Sequence, residues 1–187
     1  MTATHTTRIE KDLLGKLEIS QDDYFGIQTQ RAINNFPLTK KKLCQYPELI
    51  RALSFVKLAC AKSNHSLELL STNKLKMIED AANKVAAGEF DSAFPIDMIQ
   101  GGAGTSSNMN ANEVIANVAL EANGFNKGDY HQLHPNTDVN MSQSTNDVYP
   151  SAIRLAILIK QQKLLVNLEA IIGSLKAKAE SFSHILK

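Results

Sequence analysis

The chain contains no tryptophan, only two cysteines, and aromatic residues make up just 6% of it. The two thiols, Cys44 and Cys60, are too few for a disulfide framework and lack metal-ligand spacing. A reducing compartment is the simple reading. No apolar run approaches the roughly 20 residues that span a bilayer. Residues 1–8 carry no apolar stretch of the signal-peptide kind. Charge of one sign is also missing. The net value of +1 gives no bulk pull toward nucleic acid or an anionic membrane. The short cluster Lys40-Lys41-Lys42 reads as a solvated turn. These absences point to a cytoplasmic protein with no membrane or nucleic-acid partner. No internal repeat or low-complexity tract is present.

What remains is an ordinary globular composition. Of 187 residues, 43% are hydrophobic and 21% charged, enough for one large domain or one domain plus a piece of another. Residues 1–45 show little helical period. Ile9, Leu13, Leu14, Leu17 and Ile19 suit a short extended or hairpin segment with Gly15 as its turn, and a polar stretch runs on to Asn35-Phe36-Pro37. Pro47 and Glu48 open a predicted helix, because proline suits a first turn and an acidic residue complements the dipole. Leu49, Ile50, Leu53, Val56 and Cys60 recur there at helical spacing, with Cys60 expected as a small buried hydrophobe. Asn73 is the expected cap of the next helix, whose face carries Leu75, Ile78, Ala82, Val85 and Ala86 and which stops at Gly88. Residues 90–100 form a connector containing Phe94-Pro95. A third helical face carries Met109, Val114, Ile115, Val118 and Ala119 and ends near Asn123-Gly124. Residues 124–146 are polar and turn-rich.

The segment from Val148 to Lys187 stands apart. Ile153, Ala156, Ile157, Leu164, Leu168, Ile171, Ile172, Leu175, Ala179, Phe182 and Ile185 fit a three-to-four spacing. Pro150 is expected in the first turn, and Gly173 is the only interior glycine, at about 1 kcal/mol against alanine. Such a helix runs about 50 Å. That is too long for the shorter helices here to cover, so it is expected to join a bundle.

Two polar loops stand at the mouths of the last two helices. One is Ser144-Thr145-Asn146-Asp147, four cap-type residues in a row where one cap needs one residue. The other is Gly101-Gly102-Ala103-Gly104-Thr105-Ser106-Ser107-Asn108, whose glycines let backbone approach a ligand. Hydroxyls, amides, free N–H groups and two helix dipoles together make a receptor for carboxylates. Plain capping fits the same residues. The glycine loop is neither a P-loop nor a dinucleotide fingerprint, since no Gly-Lys-Ser/Thr follows and no clear strand precedes it. His131 and His134 have no partner at metal-ligand spacing and read as loop residues. His65 and His184 read as solvent-facing or capping residues. Ser106 and Ser107 lack a recognisable base.

With these loops in view, the chain resembles the aspartase/fumarase superfamily over essentially its whole length. The likeness starts at Arg8-Ile9-Glu10-Lys11-Asp12-Leu13-Leu14-Gly15 and continues through Tyr24-Phe25-Gly26-Ile27-Gln28-Thr29. It then takes in residues 101–117 and His134-Pro135-Asn136 through Pro150. Class II fumarases typically carry Gly-Ser-Gly-Thr-Gln and Ser-Ser-Asn-Asp. Gly-Gly-Ala-Gly-Thr-Ser and Ser-Thr-Asn-Asp here look like the aspartate ammonia-lyase branch, as does the opening Arg-Ile-Glu-Lys-Asp-Leu-Leu-Gly.

The resemblance implies reversible elimination of ammonia from L-aspartate to give fumarate, with no metal and no organic cofactor. A base takes a proton from Cβ, and charge gathers on the adjacent carboxylate, where donors aimed at that oxygen pair supply most of the catalysis. By resemblance Thr105, Ser144 and Thr145 hold the β-carboxylate, and Asn146 with Thr105 helps to place the amine. Ser106 is a further substrate-binding candidate. His134 and Asn136 match a second carboxylate loop of fumarases, but Thr137 stands where that loop has an acid. The family's base is a serine on a Gly-Ser-Ser loop, followed by Lys and Asn, far downstream in much longer chains. Further contacts come from a Thr-His or Thr-Gln motif just beyond Lys187. Neither falls within these residues.

The expectation is therefore a mainly α chain. Residues 1–146 form an N-terminal helical lyase domain, and residues 147–187 form the first long helix of a central bundle domain. The parent family implies a homotetramer. The chain is read as a truncated, N-terminal portion of an ammonia-lyase, carrying carboxylate- and amine-binding loops without the general base, and inactive alone. It is expected to self-associate or to need a C-terminal partner chain. The alternatives are a non-enzymatic remnant acting as a helix-bundle interaction module, and a class II fumarase-like parent.

Overall fold

The computed structural model describes residues 6–186; the readings made for residues 1–5 and for Lys187 lie outside them. The chain opens with an antiparallel hairpin, β1 (Thr7–Asp12) and β2 (Gly15–Ser20), turning through Leu13-Leu14 with Arg8 opposite Ile19. Five helices follow: α1 (Ile27–Asn35), α2 (Pro47–Ser66), α3 (Thr72–Ala86), α4 (Thr105–Ala122) and α5 (Thr145–Ser181). The fold is mainly α, as expected.

The core forms where α2, α3 and α4 meet. Leu43, Ile50, Leu53, Ile78, Ile115 and Leu120 are fully buried there, each contributing roughly 1.5–3 kcal/mol. Helix α4 is the central element: every residue from 111 to 120 is buried. It therefore carries small residues and asparagines rather than the one-sided stripe of a surface helix.

Helix α1 was not legible, because Gln28, Thr29, Gln30, Arg31 and Asn34 disguise it as a polar stretch. Its N-terminus has no side-chain cap of its own. Two buried carboxylates from elsewhere replace one. Glu113 of α4 accepts from the N–H groups of Gly26, Gln28 and Thr29 and from the Thr29 hydroxyl. Glu10 of β1 accepts from Ile27 N and from Arg8 Nε at 2.8 Å. Arg8 in turn donates to the carbonyls of Ser20, Asp23 and Phe25. Burial pushes the Glu113 carboxyl up to about 7, against the opposing pull of Thr29 and Gln28. A Cβ at Gly26 would lie 2.7 Å from the Tyr130 hydroxyl and 2.8 Å from Glu10 Oε2, so any larger residue there would displace this buried network.

Four local readings are corrected. Ser71, not Asn73, caps α3, its hydroxyl accepting from Lys74 N; a serine one residue before the helix meets the third N–H, whereas Asn73 already lies inside. Pro150 is the sixth residue of α5 rather than a first-turn residue, because the helix starts at Thr145. Its missing N–H leaves the Asn146 carbonyl without the usual fourth-residue donor. The long helix ends at Ser181, with Phe182 as its C-cap. Cys60 is only half-buried, because it sits at the edge of the α2 core face while Ala61 beside it takes the interior.

Helix α5 extends about 55 Å at 1.5 Å per residue. Its first turns pack onto the domain through Val148 and Ala152, with Ile153 and Ala156 half-buried, against α2. Beyond Gln161 every described residue is exposed.

Candidate functional site

The two polar loops come together where α4 and α5 begin. Helix α4 starts from Gly104, which has φ +88, preceded by Ala103 at φ +54. No side chain caps it. Thr105 is its first residue and is exposed, with its hydroxyl donating to Gly102 O at 2.7 Å. Ser106 is half-buried and Ser107 buried. Helix α5 is capped by Ser144, whose hydroxyl accepts from Asn146 N at 3.3 Å. Thr145 is half-buried, and Asn146 is exposed.

Two contacts join the loops. Tyr149 of α5 lies against Gly104. Asn108 of α4 donates from Nδ2 to Thr145 Oγ1 at 3.4 Å. Asn146 and Thr105 line different cavities, however. Asn146 lines a groove of about 400 Å³ with Ala103, Gly104, Tyr149 and Pro150. Thr105 lines a separate one of about 650 Å³ with Gln28, Tyr130, His134 and Asn136.

In the larger groove, the His134 ring works as a local cap. Its Nδ1 accepts from Asn136 N at 3.0 Å and Thr137 N at 3.1 Å, holding a single π turn over Pro135–Val139. Burial lowers its pKa, consistent with the acceptor role of Nδ1. Thr137 does not take the acid's place. The neighbouring Asp138 points inward instead, accepting from His134 N and from Lys74 Nζ at 2.8 Å. His65, read as a surface or capping residue, is half-buried and bonds Leu70 O through Nδ1. Among the described residues no cluster of His, Cys, Asp and Glu could hold a metal ion, and no helix is long and apolar enough to cross a membrane.

Sequence reading missed Lys57. It lies on the apolar face of α2, four residues after Leu53 and four before Ala61, and is fully buried. A lysine inside a helical core stripe is the signal that was available. Its Nζ donates to Asn108 Oδ1 at 2.6 Å, Asn140 Oδ1 at 2.7 Å and Gln143 Oε1 at 2.8 Å. Burial pulls its pKa down to about 7, partly offset by Cys60.

A family described simply as lyase matches residues 15–187. An aspartate ammonia-lyase of Pseudomonas canavaninivorans is 54% identical over the full 187 residues, which cover 40% of that protein. The aspartate ammonia-lyase of Bacillus subtilis is 49% identical over 96% of this chain and 38% of its own length. The chain thus spans about 40% of the curated relatives it matches. Among solved structures, a fumarate lyase:delta crystallin from Brucella melitensis superposes with a TM-score of 0.92 at 50% identity, over 95% of this chain and 41% of that one. A class II fumarase from Schistosoma mansoni gives 0.87 at 31% identity, over 94% and 37%.

Proposed function

This chain belongs to the lyase family that matches its residues 15–187, and we propose on that premise that it supplies the substrate-binding loops of an aspartate ammonia-lyase. The observation that carries the reading is the meeting of two helix N-termini, α4 and α5, with hydroxyls and amides at both mouths. The motifs favour the ammonia-lyase branch over fumarase, and the identities lean the same way, 54% against 31%.

In this reading Thr105, Ser144 and Thr145 hold the β-carboxylate of L-aspartate, and Asn146 with Thr105 places the amine. Ser106 backs the same loop. Elimination breaks the Cβ–H and Cα–N bonds and forms the Cα=Cβ bond, releasing ammonia and a proton. Negative charge grows on the β-carboxylate as the Cβ proton leaves, so donors fixed in advance at its oxygens lower the barrier. The proton acceptor is not among these residues: the Gly-Ser-Ser loop of the resemblance has no counterpart in the 187. Residues 1–146 act as the lyase domain and residues 147–187 as the first helix of a bundle domain. The working enzyme is a cytoplasmic homotetramer in which further segments complete the site.

A second reading is a helix-bundle interaction module without catalysis. The exposed apolar residues of α5 beyond Gln161 favour it.

The test is fumarate absorbance in purified chain supplied with L-aspartate, beside L-malate, together with calorimetric titration of fumarate. Fumarate binding with no turnover is the expected result. Fumarate formed from aspartate by the chain alone would overturn the missing-base argument. No binding at all would favour the interaction module.

A further inference from the structure

Below about pH 7, where Lys57 carries its proton, its buried ammonium is a one-way hydrogen-bonding group, with three donors and no acceptor. Whatever touches it must present an oxygen. Lys57 touches three side-chain amides, so it decides which way round each of them stands. Asn108 turns Oδ1 to Lys57 and therefore points Nδ2 away, toward Asn140 Oδ1 at 3.0 Å and Thr145 Oγ1 at 3.4 Å. Asn140 likewise gives its oxygen to Lys57 and its Nδ2 to Gln143 O. Gln143 gives Oε1 to Lys57 and its Nε2 to the carbonyls of Val139 and Met141. Each amide N–H in the set goes to another acceptor, and none faces the cation.

The chain of donors ends at a hydroxyl. Thr145 Oγ1, having accepted from Asn108, keeps its own proton for a partner outside the network. Were Asn108 turned over, its NH₂ would face the ammonium and its oxygen would compete for the Thr145 proton. We propose that Lys57 is a positioning residue whose buried cation sets Thr145 as a hydrogen-bond donor toward a carboxylate, 51 residues away from Asn108 in sequence and without touching the substrate itself. The proposal rests on the carboxylate-binding reading of Thr145. It also explains a placement that packing does not, since a methionine would fill the same core position without a charge to bury.

The experiment uses the 187-residue chain at about pH 6, where Lys57 is charged, with fumarate as the probe, titrated calorimetrically into wild type, Lys57→Met, Thr145→Val and the double variant. Each single change is expected to weaken binding by about 10-fold or more. The double variant should bind no more weakly than the weaker single one, because both remove the same donor. Losses that multiply would overturn the proposal. Should Lys57→Met fail to fold, Asn108→Asp replaces it. An aspartate keeps an oxygen on Lys57 but has no N–H for Thr145, so it should lose fumarate affinity to the same extent; unchanged affinity would overturn the proposal. A ligand-free measurement separates this idea from the functional reading. Side-chain amide protons of Asn108 and Asn140 should exchange slowly in wild type and rapidly in Lys57→Met. That difference would support the ordering role of Lys57 even if wild type bound no fumarate, whereas equal exchange rates would sink it.

Discussion

The Tyr149 ring occupies the place where a side chain at Gly104 would go: a Cβ there would overlap Cδ1 and stand 2.5 Å from Cγ and Cε1. Gly104 also has φ +88, a left-handed conformation that L side chains seldom adopt. Gly104→Ala is therefore expected to cost about 2–4 kcal/mol, combining overpacking with backbone strain. Its cost should shrink to about 1 kcal/mol in a Tyr149→Ala background, where only the backbone strain remains. Urea unfolding of the four variants measures this coupling. Equal costs in both backgrounds would mean that the ring moves aside freely.

Thr145 has a cap-like position but not the cap's job, which Ser144 performs. In the assembled enzyme, Thr145→Ala should lower kcat/KM about 100-fold, the usual loss of one preorganised donor at a developing oxyanion. Thr145→Ser, which keeps the hydroxyl, should recover most of it. An alanine variant with unchanged kcat/KM would reduce Thr145 to a helix-start residue.

The motifs announced both loops, since runs of glycine, serine, threonine and asparagine are visible in one dimension. What held the loops together was not visible. Lys57 lies in α2, 51 residues before Asn108, and only the packing of α2 on α4 reveals that its neighbours are amides. Helix α1 was hidden for a related reason: Glu10 and Glu113 replace its cap from 17 and 84 residues away. Apolar period located α2, α3 and α5, while α4, buried all round and without a side-chain cap, showed itself through the recurrence of Met109, Val114, Ile115, Val118 and Ala119 after a glycine-rich turn. Ser71 and Pro150 moved by a residue or more, which is the ordinary uncertainty of helix ends.

Asp97 sets an acid limit on stability. Burial pushes its carboxyl up, but hydrogen bonds from Ile99 N, the Thr39 hydroxyl, Thr39 N and Lys40 N outweigh it and bring it down to about 2. A folded pKa below the ordinary 3.8 means that the unfolded chain takes up the proton first as pH falls. The stabilisation is then complete above about pH 4 and disappears as pH drops toward 2. Thermal unfolding of wild type should fall across that window. Asp97→Asn should start lower and show a shallower slope, and a slope identical to wild type would assign the acid sensitivity to other groups.

The apolar residues of α5 set the behaviour of the chain in solution. At 100° per residue, Ile157, Leu164, Leu168, Ile171 and Leu175 fall on one side of the helix, with Leu158, Leu165 and Ile172 beside them at seven-residue spacing. All eight are exposed. A continuous stripe of that size drives association, and its spacing suits helix-on-helix packing at shallow angles. Light scattering of the purified chain should therefore report dimers or larger species. Replacing Leu168 and Ile171 together by lysine should shift the population toward monomer. The domain should keep its unfolding midpoint in that variant, because neither side chain reaches the core around α2 and α4. A wild-type chain that stays a soluble monomer over a wide concentration range would remove self-association through α5 as the fate of its exposed stripe.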